Sequence, residues 1–162
     1  MAFYRPDPEM ASRLETLLDE LSADGRPGLR NSLALTWIRY EDPSPEAGQG
    51  FGAGWNQDRQ LYPASVVKLF YAVAAERWLQ QDLIPDGEEL QRALRDMIGD
   101  SSNDATGLVM DLLTGTSSGP ALQGNAWQLW QRQRQLVNDW LASLGWPELD
   151  GGNCCQKTWG DG

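Results

Sequence analysis

The stretch Tyr62-Pro63-Ala64-Ser65-Val66-Val67-Lys68-Leu69-Phe70-Tyr71-Ala72-Val73-Ala74-Ala75 decides the fold of this chain. Pro63 is typical of a helix start, because the N–H that proline lacks would have no partner in the first turn. Apolar residues then occupy every face as far as Leu79. This pattern predicts a central helix that is buried on all sides.

A serine and a lysine stand at the start of this predicted helix. Ser65 and Lys68 are three residues apart, so their side chains project from the same face of the first turn. Burial there disfavours the charged form of the lysine. A neutral amine beside a hydroxyl can act as a base and activate a nucleophilic serine. A lysine that only extends from a helix end toward water is the alternative, and the pair by itself leaves both open.

Composition restricts the possible functions. The 162 residues are 41% hydrophobic and 22% charged, as in one modest globular domain. The net charge of −10 and the lack of a basic patch argue against nucleic acid or an anionic membrane as a partner. Histidine is absent, which removes Ser-His-Asp and Cys-His catalysis and the commonest zinc ligand. We expect no metal and no organic cofactor.

The two ends of the sequence add expectations about compartment and redox chemistry. Residues 1–8 contain no apolar core of signal-peptide length, and no run reaches the length of a membrane span. We expect a cytoplasmic protein as written, or a periplasmic one if an export signal has been lost. The adjacent Cys154 and Cys155 rarely suit disulfide geometry, so we expect ordinary thiols.

The remaining pattern predicts an α+β chain, with a helical region after a two-stranded N-terminal hairpin. We predict one domain over residues 1–162, divided into residues 8–60, residues 61–145 and an irregular tail at 146–162. The predicted helices cover residues 8–24, 88–98 and 125–144, and a further helix follows the break at residues 100–104. The predicted strands lie at residues 31–40 and near residues 50–56.

The tripeptide Ser101-Ser102-Asn103 occupies the break between two predicted helices. A hydroxyl and an amide on such a turn are well placed to face a site beside the central helix. The alternative is an N-cap cluster for the helix that begins near Asp104.

Together, S-x-x-K at the start of an apolar helix and S-x-N between two helices resemble the penicillin-recognising serine hydrolases. Within that group the chain looks most like the class A β-lactamases, from about residue 8 to residue 144. The resemblance implies an incomplete β-lactamase/transpeptidase-like fold whose C-terminal strands are missing. It also implies that the chain is the amino-terminal part of a longer protein, so we expect it by itself to be poorly stable and inactive.

The resemblance also implies roles for four residues. Ser65 corresponds to the acylated nucleophile and Lys68 to its proton-transfer partner. Ser101 corresponds to the hydroxyl that relays a proton toward the leaving nitrogen, and Asn103 to the amide that binds the acyl side chain and contacts the lysine. The backbone N–H of Ser65 would supply half of an oxyanion hole. The implied partner is a small-molecule or peptide substrate, a β-lactam or a D-Ala-D-Ala peptide.

Several residues depart from the family pattern. Ser102 replaces the aspartate usual in class A enzymes. Tryptophan stands at the critical place of the family's deacylation loop, where Glu148 or Asp150 could substitute as the deacylating carboxylate. The alternative is that both are ordinary solvated acids. The K-T-G motif is missing, and we interpret Lys157-Thr158-Trp159 as a coincidence. These departures keep two alternatives open: a catalytically inactive binding or scaffold protein of the same fold, and a D-Ala-D-Ala peptidase-type penicillin-binding enzyme.

Overall fold

The computed structural model describes residues 4–46, 48–149 and 152–154, and its architecture is α+β. Two compact units divide the chain, Met1–Leu61 and Tyr62–Gly162. We describe each unit by itself and call them the first and second units.

The first unit combines one long helix with a small sheet. Helix α1 (Pro8–Ala23) begins where the sequence predicts it. The Asp7 carboxylate caps it by accepting hydrogen bonds from the backbone N–H groups of Glu9 (2.9 Å) and Met10 (3.1 Å). Its buried residues Met10, Leu14 and Leu18 pack with Ala53 of the sheet. The elements are β1 (Arg5–Pro6), α1 (Pro8–Ala23), α2 (Leu29–Ser32), β2 (Leu35–Arg39) and β3 (Phe51–Trp55).

The predicted hairpin is confirmed, since β2 and β3 pair antiparallel with Leu35 opposite Trp55 and Arg39 opposite Phe51. The prediction was too long at one end, where residues 31–32 belong to α2. Strand β1 adds a parallel partner to β3, giving the order β1-β3-β2. No sequence pattern predicts β1, because two residues, one of them a proline, are too few to show the alternation of a strand.

Arg30 joins α2 to α1 and to β3 in the first unit. Its guanidinium lies 2.6 Å from a Glu15 carboxylate oxygen and 2.9 Å from one of Asp19, and it stacks over the Trp55 ring. The hydrogen bond to Glu15 is the largest cause that raises the pKa of Arg30 above its usual value, and the charge of Asp19 acts in the same direction.

The second unit is helical. Its central helix, α3 (Val67–Gln80), packs against α4 (Glu88–Gly99) and α5 (Asn103–Thr114). The buried side chains of these helices form one hydrophobic core that includes Tyr71, Met97 and Val109. The elements are α3 (Val67–Gln80), preceded by a 3₁₀ turn at Ala64–Val66, then α4 (Glu88–Gly99), α5 (Asn103–Thr114), α6 (Gly124–Arg134), α7 (Leu136–Ser143) and a 3₁₀ turn at Pro147–Leu149.

The prediction that α3 is buried on all sides is wrong on one face. Val66, Leu69 and Val73 are 59%, 56% and 59% exposed. These residues follow one another at spacings of three and four, so they form one stripe along the helix. The described helices of the second unit pack on the opposite side, where Tyr71, Ala74 and other residues are buried. Apolar composition on every face therefore does not fix which faces are covered.

The long helix predicted over residues 125–144 is also corrected, because it is two helices with a break at Gln135. Gln135 has φ −90° and ψ −6°, and its backbone N–H bonds the Arg132 carbonyl at 3.0 Å. This bond spans three residues instead of four, which interrupts the α-helical pattern. The apolar repeat continues across the break, so periodicity could not locate it.

The described part of the tail packs on α7. Cys154 is buried, and its thiol donates to Asn138 Oδ1 at 3.3 Å. Cys155 and the segment Lys157-Thr158-Trp159 lie outside the described residues.

Candidate active site

Ser65 lies at the centre of the 3₁₀ turn that leads into α3, and its side chain is exposed. Lys68 follows in the first turn of α3. Residues three apart are eclipsed in a 3₁₀ helix, so the two side chains leave the backbone in similar directions. Within the described part of the chain, the Ser65 hydroxyl makes no hydrogen bond, and none joins it to Lys68.

Lys68 is only 2% exposed, and its amine lies among three oxygens. Nζ donates to the Ser101 carbonyl at 2.5 Å, to Ser101 Oγ at 2.9 Å and to Asn103 Oδ1 at 3.0 Å. The fold thus brings together three of the four predicted site residues, although 33 and 35 residues separate Lys68 from the other two. We call this group the lysine cluster: Lys68, Ser101 and Asn103.

The electrostatics of the lysine cluster are unusual for a buried cation. Every ion pair among the described residues is made by an arginine, and none reaches Lys68. A buried charge costs free energy unless partners compensate for its lost hydration. At Lys68 that compensation comes from uncharged oxygens alone.

The bend between α4 and α5 separates the two roles that the sequence left open for Ser101-Ser102-Asn103. Ser102 is the N-cap of α5, and its hydroxyl accepts a hydrogen bond from the Ala105 N–H at 3.2 Å. The capping alternative therefore holds for Ser102, whereas Ser101 and Asn103 face Lys68. Serine and aspartate are both strong N-cap residues, so either type suits this position.

Backbone strain marks the same place. Ala64, directly before Ser65, has φ +47°, and Ser101 has φ +54°. Asn56 and Asp82 also have positive φ, but their side-chain types tolerate this conformation. For alanine or serine, a left-handed residue costs about 1–2 kcal/mol. Among the described residues, the two costly cases both adjoin or belong to the predicted site, and such strain clusters at functional sites. No sequence signal predicted either one.

The other predicted elements are placed less fully. Glu148 lies in the 3₁₀ turn at Pro147–Leu149, and Asp150 lies outside the described residues. Among the residues that are described, no group of histidine, cysteine, aspartate and glutamate side chains could hold a metal ion. None of the described helices is both long enough and apolar enough to cross a membrane.

No protein-family profile, curated protein or solved structure matches this chain. The chemistry of the site therefore has to be argued from its own residues.

Proposed function

We propose that this chain carries the acylation site of a serine hydrolase of the β-lactamase-like group. The substrate is a β-lactam or a related amide or ester, and the product of the first step is an ester of Ser65. The finer fold, an incomplete β-lactamase/transpeptidase-like domain, is part of the same proposal. Its support is the S-x-x-K and S-x-N motifs together with the contacts of the lysine cluster.

One observation carries the proposal, namely the different chemistry of the three oxygens around Lys68 Nζ. An ammonium group has three N–H donors, which match the three acceptors. An uncharged amine has two donors and one lone pair. The Ser101 carbonyl and Asn103 Oδ1 can only accept, but the Ser101 hydroxyl can also donate its proton to that lone pair. The lysine cluster is therefore satisfied in both protonation states, as a proton-transfer site requires.

The reaction follows from these groups. The Ser65 oxygen attacks the substrate carbonyl while its proton passes to the uncharged Lys68 amine. The Ser65 N–H belongs to the first turn, whose N–H groups lack helical partners, so it is available to the developing oxyanion. The Ser101 hydroxyl then gives a proton to the leaving nitrogen as the C–N bond breaks, and it takes one back from the lysine. In a β-lactam this step opens the ring, so the whole substrate remains attached to Ser65.

A matched pair of neighbouring serines tests the proposal. The chain is incubated with a fluorescent penicillin, and peptide mass spectrometry locates the label. We expect one label at Ser65, absent in Ser65→Ala, and an acylation rate reduced about 100-fold in Ser101→Ala. Ser102→Ala is the control, because it removes the adjacent hydroxyl that does not touch Lys68. We expect it to lose about 1 kcal/mol of stability and to be labelled much faster than Ser101→Ala.

The test measures stoichiometric acylation, because the inactivity expected of this chain concerns turnover, which needs a deacylating carboxylate. Wild-type protein that melts cooperatively and acquires no label would contradict the proposal. Equal labelling of Ser101→Ala and Ser102→Ala would contradict the role of the Ser101 hydroxyl.

A second candidate is a binding or scaffold protein that keeps the fold without the chemistry. The observation in its favour is that all three donors of a Lys68 ammonium are already used, while none is directed to Ser65. In that case Lys68 serves to hold the bend after α4 against α3. The same labelling experiment separates the candidates, since a scaffold acquires no label at Ser65.

A further inference from the structure

Thr106 is a fully buried polar residue, and its side-chain hydroxyl bonds back to the bend beside the lysine cluster. Its backbone N–H donates to the Ser102 carbonyl at 3.2 Å, as the helix requires. Its hydroxyl donates to the same carbonyl at 2.6 Å. The side-chain bond is additional, because the helical N–H already satisfies that oxygen. Such back-bonding adds little to helix stability.

Ser102 is therefore held from several directions. Its N–H donates to the Asp96 carbonyl at the end of α4 (3.1 Å), and its hydroxyl caps α5 through Ala105. Its carbonyl receives both bonds from Thr106. The residues on either side of Ser102 are Ser101 and Asn103, which supply the three oxygens that accept hydrogen bonds from Lys68 Nζ within the described part of the chain. The orientation of the Ser102 peptide groups thus sets where those oxygens lie.

We propose that Thr106 is a positioning residue, whose hydroxyl holds the Ser102 carbonyl so that Ser101 and Asn103 both reach Lys68. The inference rests on the proposed acylation at Ser65 and extends it to a residue that touches neither substrate nor lysine. Small displacements of catalytic groups lower rates strongly, so an extra bond at this pivot has a catalytic effect larger than its effect on stability.

Valine is the informative replacement, because it keeps the shape of threonine without the hydroxyl. A purely structural Thr106 predicts that Thr106→Val is neutral or more stable, since the helical N–H still satisfies the Ser102 carbonyl. A positioning role predicts altered contacts at Lys68 in a protein that remains folded.

Thr114 in the same helix is a matched control. It is 1% exposed, and its hydroxyl donates to the Met110 carbonyl at 2.7 Å with the same spacing of four residues. It also shares a hydrogen bond with the Thr116 hydroxyl. Thr114→Val should therefore destabilise the protein more than Thr106→Val does, at a position two turns further along α5.

The experiment uses the full chain with ¹⁵N at the lysine Nζ, where only Lys68 and Lys157 contribute signals. We expect Thr106→Val to shift the Lys68 signal and to slow fluorescent-penicillin labelling of Ser65 about tenfold. We expect Thr106→Ser, which keeps the hydroxyl, to restore both. Thr114→Val should change neither, although its melting temperature falls.

An unchanged Lys68 signal and an unchanged labelling rate in Thr106→Val would overturn the positioning role while leaving the proposed function intact. Similar rate losses in Thr106→Val and Thr114→Val would also overturn it, because a general loss of stability would then explain both. A wild-type chain that acquires no label would overturn the proposed function itself, and with it any catalytic purpose for Thr106.

Discussion

Replacing the buried lysine tests the energetics of the lysine cluster most directly. Lys68→Met removes three hydrogen bonds from a charged group, each worth about 1.5–3 kcal/mol, so about 4.5–9 kcal/mol is lost. Removing an almost fully buried charge recovers a desolvation penalty of about the same size, several kcal/mol. Methionine fills similar space, and water can reach the oxygens of Ser101 and Asn103, since both residues are exposed. The two terms nearly cancel.

We therefore expect Lys68→Met to change the free energy of unfolding by less than about 2 kcal/mol in either direction. Acylation of Ser65 should fall by about 100-fold or more, because the proposed base is gone. Urea denaturation followed by tryptophan fluorescence measures the first quantity, and the rate of fluorescent-penicillin labelling measures the second. Stability and activity should thus separate in this one variant.

Removing an acceptor should cost more than removing the lysine. Asn103→Ala leaves Lys68 buried with one N–H unpaired, which costs about 1–3 kcal/mol. Asp104→Ala is the control, as the next residue of the same helix turn; losing its charge near the helix N-terminus costs about 0.3–1 kcal/mol. A Lys68→Met variant that is less stable than Asn103→Ala by more than about 1 kcal/mol would contradict the first expectation. Acylation of Lys68→Met at the wild-type rate would contradict the second.

Four further substitutions test three local features. Ala64→Gly should raise the free energy of unfolding by up to about 1 kcal/mol, because glycine relieves a strained left-handed residue. Ala72→Gly, within α3, is the control and should lower the free energy of unfolding by about 1 kcal/mol. Urea denaturation of both variants shows whether the strain at Ala64 is real. Ser102→Asp should keep the N-cap and add about 0.3–1 kcal/mol to the free energy of unfolding, which would raise the melting temperature. A lower melting temperature would contradict the capping role of Ser102. Trp78→Phe removes the hydrogen bond from the indole N–H to the Leu113 carbonyl and should lower the free energy of unfolding by about 1–3 kcal/mol. An unchanged midpoint of urea denaturation would count against that hydrogen bond.

Features that depend on neighbouring residues were predictable from the sequence. Asp7 and Pro8 mark the start of α1, because a carboxylate caps the first N–H groups and proline needs no partner for its nitrogen. The hairpin of β2 and β3 follows from two β-rich segments separated by a polar turn. The spacing of Ser65 and Lys68 places both side chains on one side of the chain by helix geometry alone. The S-x-N tripeptide was identified, but not the division of its roles.

Only the tertiary structure decided which groups meet at Lys68. The packing of α3 against α4 and α5 sets whether residues 33 positions apart touch, and no local rule contains that distance. The same packing leaves the stripe at Val66, Leu69 and Val73 exposed, because composition states that a helix face is apolar but not whether another element covers it. Local sequence thus determined the elements and the spacing of candidate groups. Long-range packing determined which side chains are buried and which of them touch, and the proposed chemistry depends on both.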